Sequence, residues 1–159
     1  SGVSSVIIGL ALKLNNYGES VSLEHDITYA NITSENMGIN ELETKSVVKH
    51  SPLIEYNNLE QKWKWYDINE LKFSNKIDML IVDGPPRITQ ELARYPAIPI
   101  LHEYFSDRFT ILLDDSKRDD EAIIIQKWIV FLETNKYKVK IENFINYEKG
   151  MTILQVYRC

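Results

Sequence analysis

The sequence predicts an α/β fold: a mainly parallel, doubly wound sheet with helices on both faces and an antiparallel hairpin at the C-terminal end. Three observations predict it. Ile77–Val82 is apolar at five of six positions and runs directly into Asp83-Gly84-Pro85-Pro86, as a buried parallel strand that stops abruptly would. Strand-like and helix-like stretches alternate along the chain, the pattern of parallel strands joined by crossover helices. Tyr137–Ile141 and Met151–Val156 then face one another across Glu148-Lys149-Gly150, as a hairpin at a sheet edge.

The elements follow in order. Ser4–Leu14 carries apolar side chains on nearly every face, with Ser4 or Ser5 suited to the N-cap, and predicts a largely buried helix. No strand precedes it, so one strand of the expected sheet is unaccounted for. With no initiator methionine, either upstream residues exist in the native protein or Ser1-Gly2 is a cloning remnant. Val21–Glu24 alternates as a short strand, and Asp26 caps a helix from about Ile27 to Met37 that Gly38 closes. Ser46–His50 is a further strand, ended by Ser51-Pro52.

Residues 53–75 are less regular, and their Tyr56, Trp63, Trp65 and Tyr66 are expected to pack over the sheet more readily than to line a pocket. The prolines after Asp83 donate no backbone hydrogen bond and take the chain out of the sheet. Gln90–Arg94 reads as a helical turn and Ile100–Phe105 as a short helix. Phe109–Leu113 is the next strand and ends in Asp114-Asp115. Asp119-Asp120-Glu121 opens a helix to about Thr134, its acidic turn matching the positive end of the helix dipole. Ala122, Ile125, Trp128, Ile129 and Leu132 form its sheet-facing stripe.

Composition narrows the function. With 159 residues, 44% hydrophobic and 26% charged, the chain can form one soluble domain over 1–159 with a core that needs no disulfide. A net charge of −5 gives no electrostatic footprint for nucleic acid or an anionic membrane, so neither is an expected partner. The lone Cys159 fits a reducing compartment, and the absence of a signal peptide or a run of ~18 apolar residues points to the cytoplasm.

Glu24, Asp83 and Asp114-Asp115 each follow a strand. Parallel strands point the same way, so these acids are expected on one rim, where open α/β sheets bind ligands. A carboxylate in the place of Glu24 can accept both hydroxyls of a ribose. Asp83 with Asp114 or Asp115 offers the hard oxygen ligands that Mg²⁺ prefers. No cysteine and histidine cluster suggests zinc.

Taken together, Ser1-Gly2-Val3-Ser4-Ser5, Val21–Asp26, His50-Ser51-Pro52-Leu53, Trp65-Tyr66-Asp67, Ile81–Pro86, Arg94-Tyr95-Pro96-Ala97 and Leu112–Asp115 with Arg118 and Glu121 resemble a class I S-adenosylmethionine-dependent methyltransferase. The resemblance is to the small Rossmann-like members of that superfamily and spans nearly the whole chain. It implies S-adenosylmethionine as cofactor, bound by Gly2, Glu24, His50, Ser51 and Asp83. It implies a metal set of Asp83, Asp114 and Asp115, as in the metal-dependent O-methyltransferase branch. The family's first strand and Gly-x-Gly loop have only Gly2 to represent them, so the domain is expected to be truncated at its N-terminus.

The implied chemistry is displacement at a sulfonium methyl group by an acceptor oxygen or nitrogen that must lose a proton. Mg²⁺ would assist by lowering the acceptor's pKa. Without metal, Asp83 or His25 is the candidate base. His102 reads as structural, while Arg94 and Arg118 could hold an anionic substrate. The expected function is therefore methylation of a small molecule, at oxygen. A non-catalytic methyltransferase-like binding module is the alternative. An NAD-dependent dehydrogenase comes third, since no Gly-x-Gly-x-x-Gly run is present.

Overall fold

The structure, a computed structural model, describes residues 2–57, 61–144 and 148–159, with backbone only at 144. Ser1 lies outside the described residues. The chain divides into two compact units, residues 1–54 with 66–70, and residues 55–65 with 71–159. Among the described residues no helix is long and apolar enough to cross a membrane.

In the first unit, α1 (Val3–Asn15) and α2 (Ile27–Ile39) accompany a parallel pair, β1 (Ser20–Glu24) and β2 (Ser46–His50). The pair runs in register from Ser20 opposite Ser46 to Glu24 opposite His50, so both strands end on the same edge. Asp26 caps α2 as expected, its Oδ1 accepting the Thr28 and Tyr29 amides at 2.8 and 3.3 Å. Gly38 does not close that helix. It lies within α2, and Glu41 instead takes the left-handed conformation, with φ 55°.

Two expectations for α1 are corrected. Its N-cap is Gly2, with φ 96°, and neither Ser4 nor Ser5 caps it; the Ser5 hydroxyl lies 2.9 Å from that of Ser22. The helix is also not largely buried. Only Gly9 is fully enclosed, while Val3, Ile7, Leu10 and Leu14 recur at helical spacing on a face open to solvent.

The residues expected to be irregular contain two strands, β3 (Leu53–Tyr56) and β4 (Trp63–Tyr66), which form a ribbon of their own. Trp63 and Trp65 pack as expected, on the buried side of β4 with Lys64 exposed between them, while Tyr56 and Tyr66 are part-exposed.

The second unit holds a four-stranded sheet in the order β5-β6-β8-β7, from β5 (Ile77–Val82), β6 (Phe105–Asp114), β7 (Tyr137–Phe144) and β8 (Met151–Arg158). β5 and β6 are parallel; β6, β8 and β7 are antiparallel, with the expected hairpin pairing Tyr137 to Arg158 and Phe144 to Met151. β5 is not the buried strand its apolar run suggests. It forms an edge of this sheet, Met79 is 53% exposed, and only Val82 is buried.

The core lies on β6 and β8, where Phe105, Phe109, Ile111 and Leu113 alternate inward beside Leu154 and Val156. The short helix α3 (Ala97–Leu101) begins earlier than expected, because Pro96 and Pro99 occupy its cap and first turn, where no intrahelical N–H is needed. The helix α4 (Asp119–Thr134) buries Glu121, Ile124, Ile125, Trp128 and Leu132. Ile125, Trp128 and Leu132 are buried as expected, whereas Ala122 is exposed and Ile129 only half-buried, and Ile124 and the carboxylate of Glu121 complete the buried stripe.

Candidate functional site

The expected site residues fall into two sets. In the first unit, Glu24 ends β1 and its carbonyl accepts the Ser51 amide at 2.8 Å, which ties the ends of β1 and β2 together. Glu24 Oε1 accepts the Asp26 amide at 3.0 Å and lies 3.0 Å from His25 Nδ1. Glu24 Oε2 carries no hydrogen bond among the described residues. His50 is exposed and donates from Nε2 to the His25 carbonyl at 3.2 Å. Ser51 is buried, and its hydroxyl donates to the Asp67 carbonyl at 2.8 Å. Gly2 lies against α2, where a Cβ would come 2.5 Å from the Thr33 hydroxyl; with its positive φ, this makes glycine the residue that fits.

The second set lies at the carboxyl ends of β5 and β6. Asp83, Asp114 and Asp115 each offer an oxygen within 4.8 Å of the others, so the pairing of β5 with β6 brings residues far apart in the sequence into one cluster. Asp115 has φ 57°, a left-handed conformation that aspartate tolerates better than most residues. Its side chain is 7% exposed, with Oδ2 held by Arg118 at 2.8 Å and Arg94 at 3.2 Å. Its Oδ1 is buried with no hydrogen-bond partner, and Lys149 Nζ stands 3.9 Å away.

Arg94 organises this cluster, a role the sequence did not reveal. Its side chain is 5% exposed, and its guanidinium donates to the carbonyls of Asp114 at 2.8 Å and Asp83 at 3.0 Å. It also reaches Asp83 Oδ1 at 3.3 Å and Glu121 Oε1 at 3.5 Å. A guanidinium so enclosed has no free face for a substrate, which corrects that expectation for Arg94. Arg118 is 42% exposed and keeps one. His102 is structural as expected, its Nδ1 paired with the Pro99 carbonyl and its ring edge-on to Phe131.

Burial pushes the Asp83 carboxyl above its ordinary value, opposed by Arg94 and reinforced by the like charges of Asp114 and Asp115. With 60% of that side chain exposed, solvent screens these effects. Glu121 is also raised, by burial first, against the pull of Arg94 and Arg118; its Oε2 has no partner. Asp26 moves the other way, lowered by the amides of Tyr29 and Thr28 that it accepts.

Buried carboxylate oxygens without donors, beside further acids, leave the second set short of positive charge. Three hard oxygens on a strand-end rim suit a small divalent cation such as Mg²⁺, which completes its shell with water. The residues present thus fit such an ion.

No protein-family model and no curated protein matches this sequence. Solved structures do match. An O-methyltransferase from Bacillus cereus in complex with SAH superimposes with a TM-score of 0.61 at 10% identity, over 99% of this chain and 82% of that one. The N-terminal domain of human METTL16 in complex with SAH gives 0.60 at 18% identity, over 97% of this chain and 57% of that one. An rRNA methylase from Streptococcus thermophilus gives 0.56 at 10% identity, over 88% and 73%. At such identities the likeness concerns the fold, and the chain carries the Rossmann-like fold of the class I S-adenosylmethionine-dependent methyltransferases.

Proposed function

We propose that this chain, read as one cytoplasmic domain over residues 1–159, is an S-adenosylmethionine-dependent methyltransferase that acts on a small molecule at oxygen, with Mg²⁺ assistance. The observation that carries this reading is the convergence of Asp83, Asp114 and Asp115, with the Asp115 Oδ1 left without a donor, in a chain of this fold. S-adenosylmethionine, when bound, supplies an electrophilic sulfonium methyl group. A divalent ion, when bound to the three aspartates, lowers the acceptor's pKa.

The chain's own residues do the rest. Glu24 accepts the ribose hydroxyls through its free Oε2, with Gly2, His50 and Ser51 shaping the surrounding backbone. Asp83 is exposed enough to meet an acceptor and, with Asp114 and Asp115, would hold the ion beside it. Arg94 fixes the two strand ends from which Asp83 and Asp114 project.

The test is transfer of a labelled methyl group from S-adenosylmethionine into pooled small hydroxyl compounds. Label should enter that pool in a Mg²⁺-dependent way, and Asp83→Ala should lower the rate by about 10²-fold or more. No transfer to any acceptor would leave the binding-module alternative in its place. A second reading, RNA as acceptor, is favoured by the likeness to an rRNA methylase and opposed by the net charge of −5. Label in RNA rather than in the small-molecule pool would establish it.

A further inference from the structure

We infer that His25 is a positioning residue for Glu24, holding that carboxylate so that its free oxygen meets the vicinal hydroxyls of a ribose. The inference rests on the cofactor reading above and deepens it, moving His25 from the chemistry of proton removal to cofactor recognition.

The turn Glu24-His25-Asp26 is pinned from several sides. The Glu24 carbonyl accepts the Ser51 amide at 2.8 Å, the His25 carbonyl accepts His50 Nε2 at 3.2 Å, and Asp26 caps α2. The His25 ring stands edge-on to Tyr66, at 6.2 Å between centroids, and this fixes its plane. Its Nδ1 is buried and faces Glu24 Oε1 at 3.0 Å, off the line of a well-aligned hydrogen bond. A bare lone pair there would oppose a carboxylate oxygen, so Nδ1 carries the proton.

Glu24 Oε1 thus accepts the Asp26 amide and stands 3.0 Å from His25 Nδ1, whose N–H dipole faces it without a well-aligned hydrogen bond, and the carboxylate, 21% exposed, is oriented before any ligand arrives. An acceptor fixed in this way loses no rotational freedom on binding and favours a diol that presents two O–H groups together. It also discriminates, because a sugar lacking one hydroxyl leaves the carboxylate underpaired.

Calorimetric titration of S-adenosylhomocysteine, followed by its displacement with adenosine and with 2′-deoxyadenosine, tests this on the full chain. Wild type should prefer adenosine by about tenfold. His25→Gln carries its amide one bond too far out to replace Nδ1; it should weaken S-adenosylhomocysteine by about tenfold and bring the two nucleosides close to parity. His25→Asn places an amide N–H where Nδ1 stood and should restore both quantities to within about twofold of wild type. His25→Ala, which removes the donor without adding bulk, should behave like His25→Gln.

A nucleoside preference unchanged in His25→Gln and His25→Ala overturns the inference and leaves the cofactor reading standing. A wild-type chain that takes up no S-adenosylhomocysteine overturns both.

Discussion

A buried arginine between acids is a hazard as well as a brace, because removing one member of such a group strands the rest. Arg94→Met leaves Asp115 and Glu121, both almost fully enclosed, with only the part-exposed Arg118 as a shared cation, and should lower stability by about 3–5 kcal/mol in urea unfolding. Arg94→Lys keeps the charge but cannot serve the carbonyls of Asp83 and Asp114 at once, so it should fall between methionine and wild type. A loss under about 1 kcal/mol for Arg94→Met would mean that the network is bypassed by water.

The same residues set the response to pH. Asp83 and Glu121 hold protons more tightly in the folded chain, so their contribution is full below the ordinary carboxylate range and is lost as pH rises through their raised values. Asp26, with a lowered value, contributes above that range, and its share disappears as pH falls. Glu121→Gln should flatten the decline in stability as pH rises above the ordinary carboxylate range, with urea midpoints as the measure. A decline as steep as that of wild type would remove Glu121 as its source. The acids themselves were legible in the sequence because each follows a strand, whereas Arg94 was not. Its role depends on carbonyls of two strands that only the β5–β6 pairing brings within reach of one side chain.

At the scale of elements, the loops at the rim are joined by backbone bonds: the Ser116 amide donates to the Gly150 carbonyl and the Lys117 amide to that of Lys149. Gly150 has φ 72°, and a Cβ there would come 2.7 Å from Lys117 Cγ. Gly150→Ala should therefore cost about 1–2 kcal/mol through the left-handed backbone alone, read as a lower melting temperature. An unchanged melting temperature would show that the loop pair relaxes freely.

The Asp26 cap revealed α2, and periodicity revealed α4 and both hairpin strands, which repeat their pattern over several turns or pleats. It misjudged burial in α1 and β5, because an apolar run states what an element can bury and not what lies beside it. β3 and β4 were missed although Trp63-Lys64-Trp65 alternates, because four-residue strands give a period of two little room to show.

For the molecule as a whole, the order of elements carried more information than any motif. The motifs resembling a methyltransferase pointed to the fold through their order and spacing, while identities with the matching solved structures are 10% and 18%. Fold alone does not establish activity, since one architecture serves many chemistries, so the functional case depends on what the strand-end acids bind. Calorimetric titration of S-adenosylhomocysteine into wild type and Glu24→Ala addresses that most directly. One molecule should bind per wild-type chain, and Glu24→Ala should weaken it by about tenfold or more. Absence of heat with wild type, or equal affinity in the two, would contradict a cofactor site at Glu24.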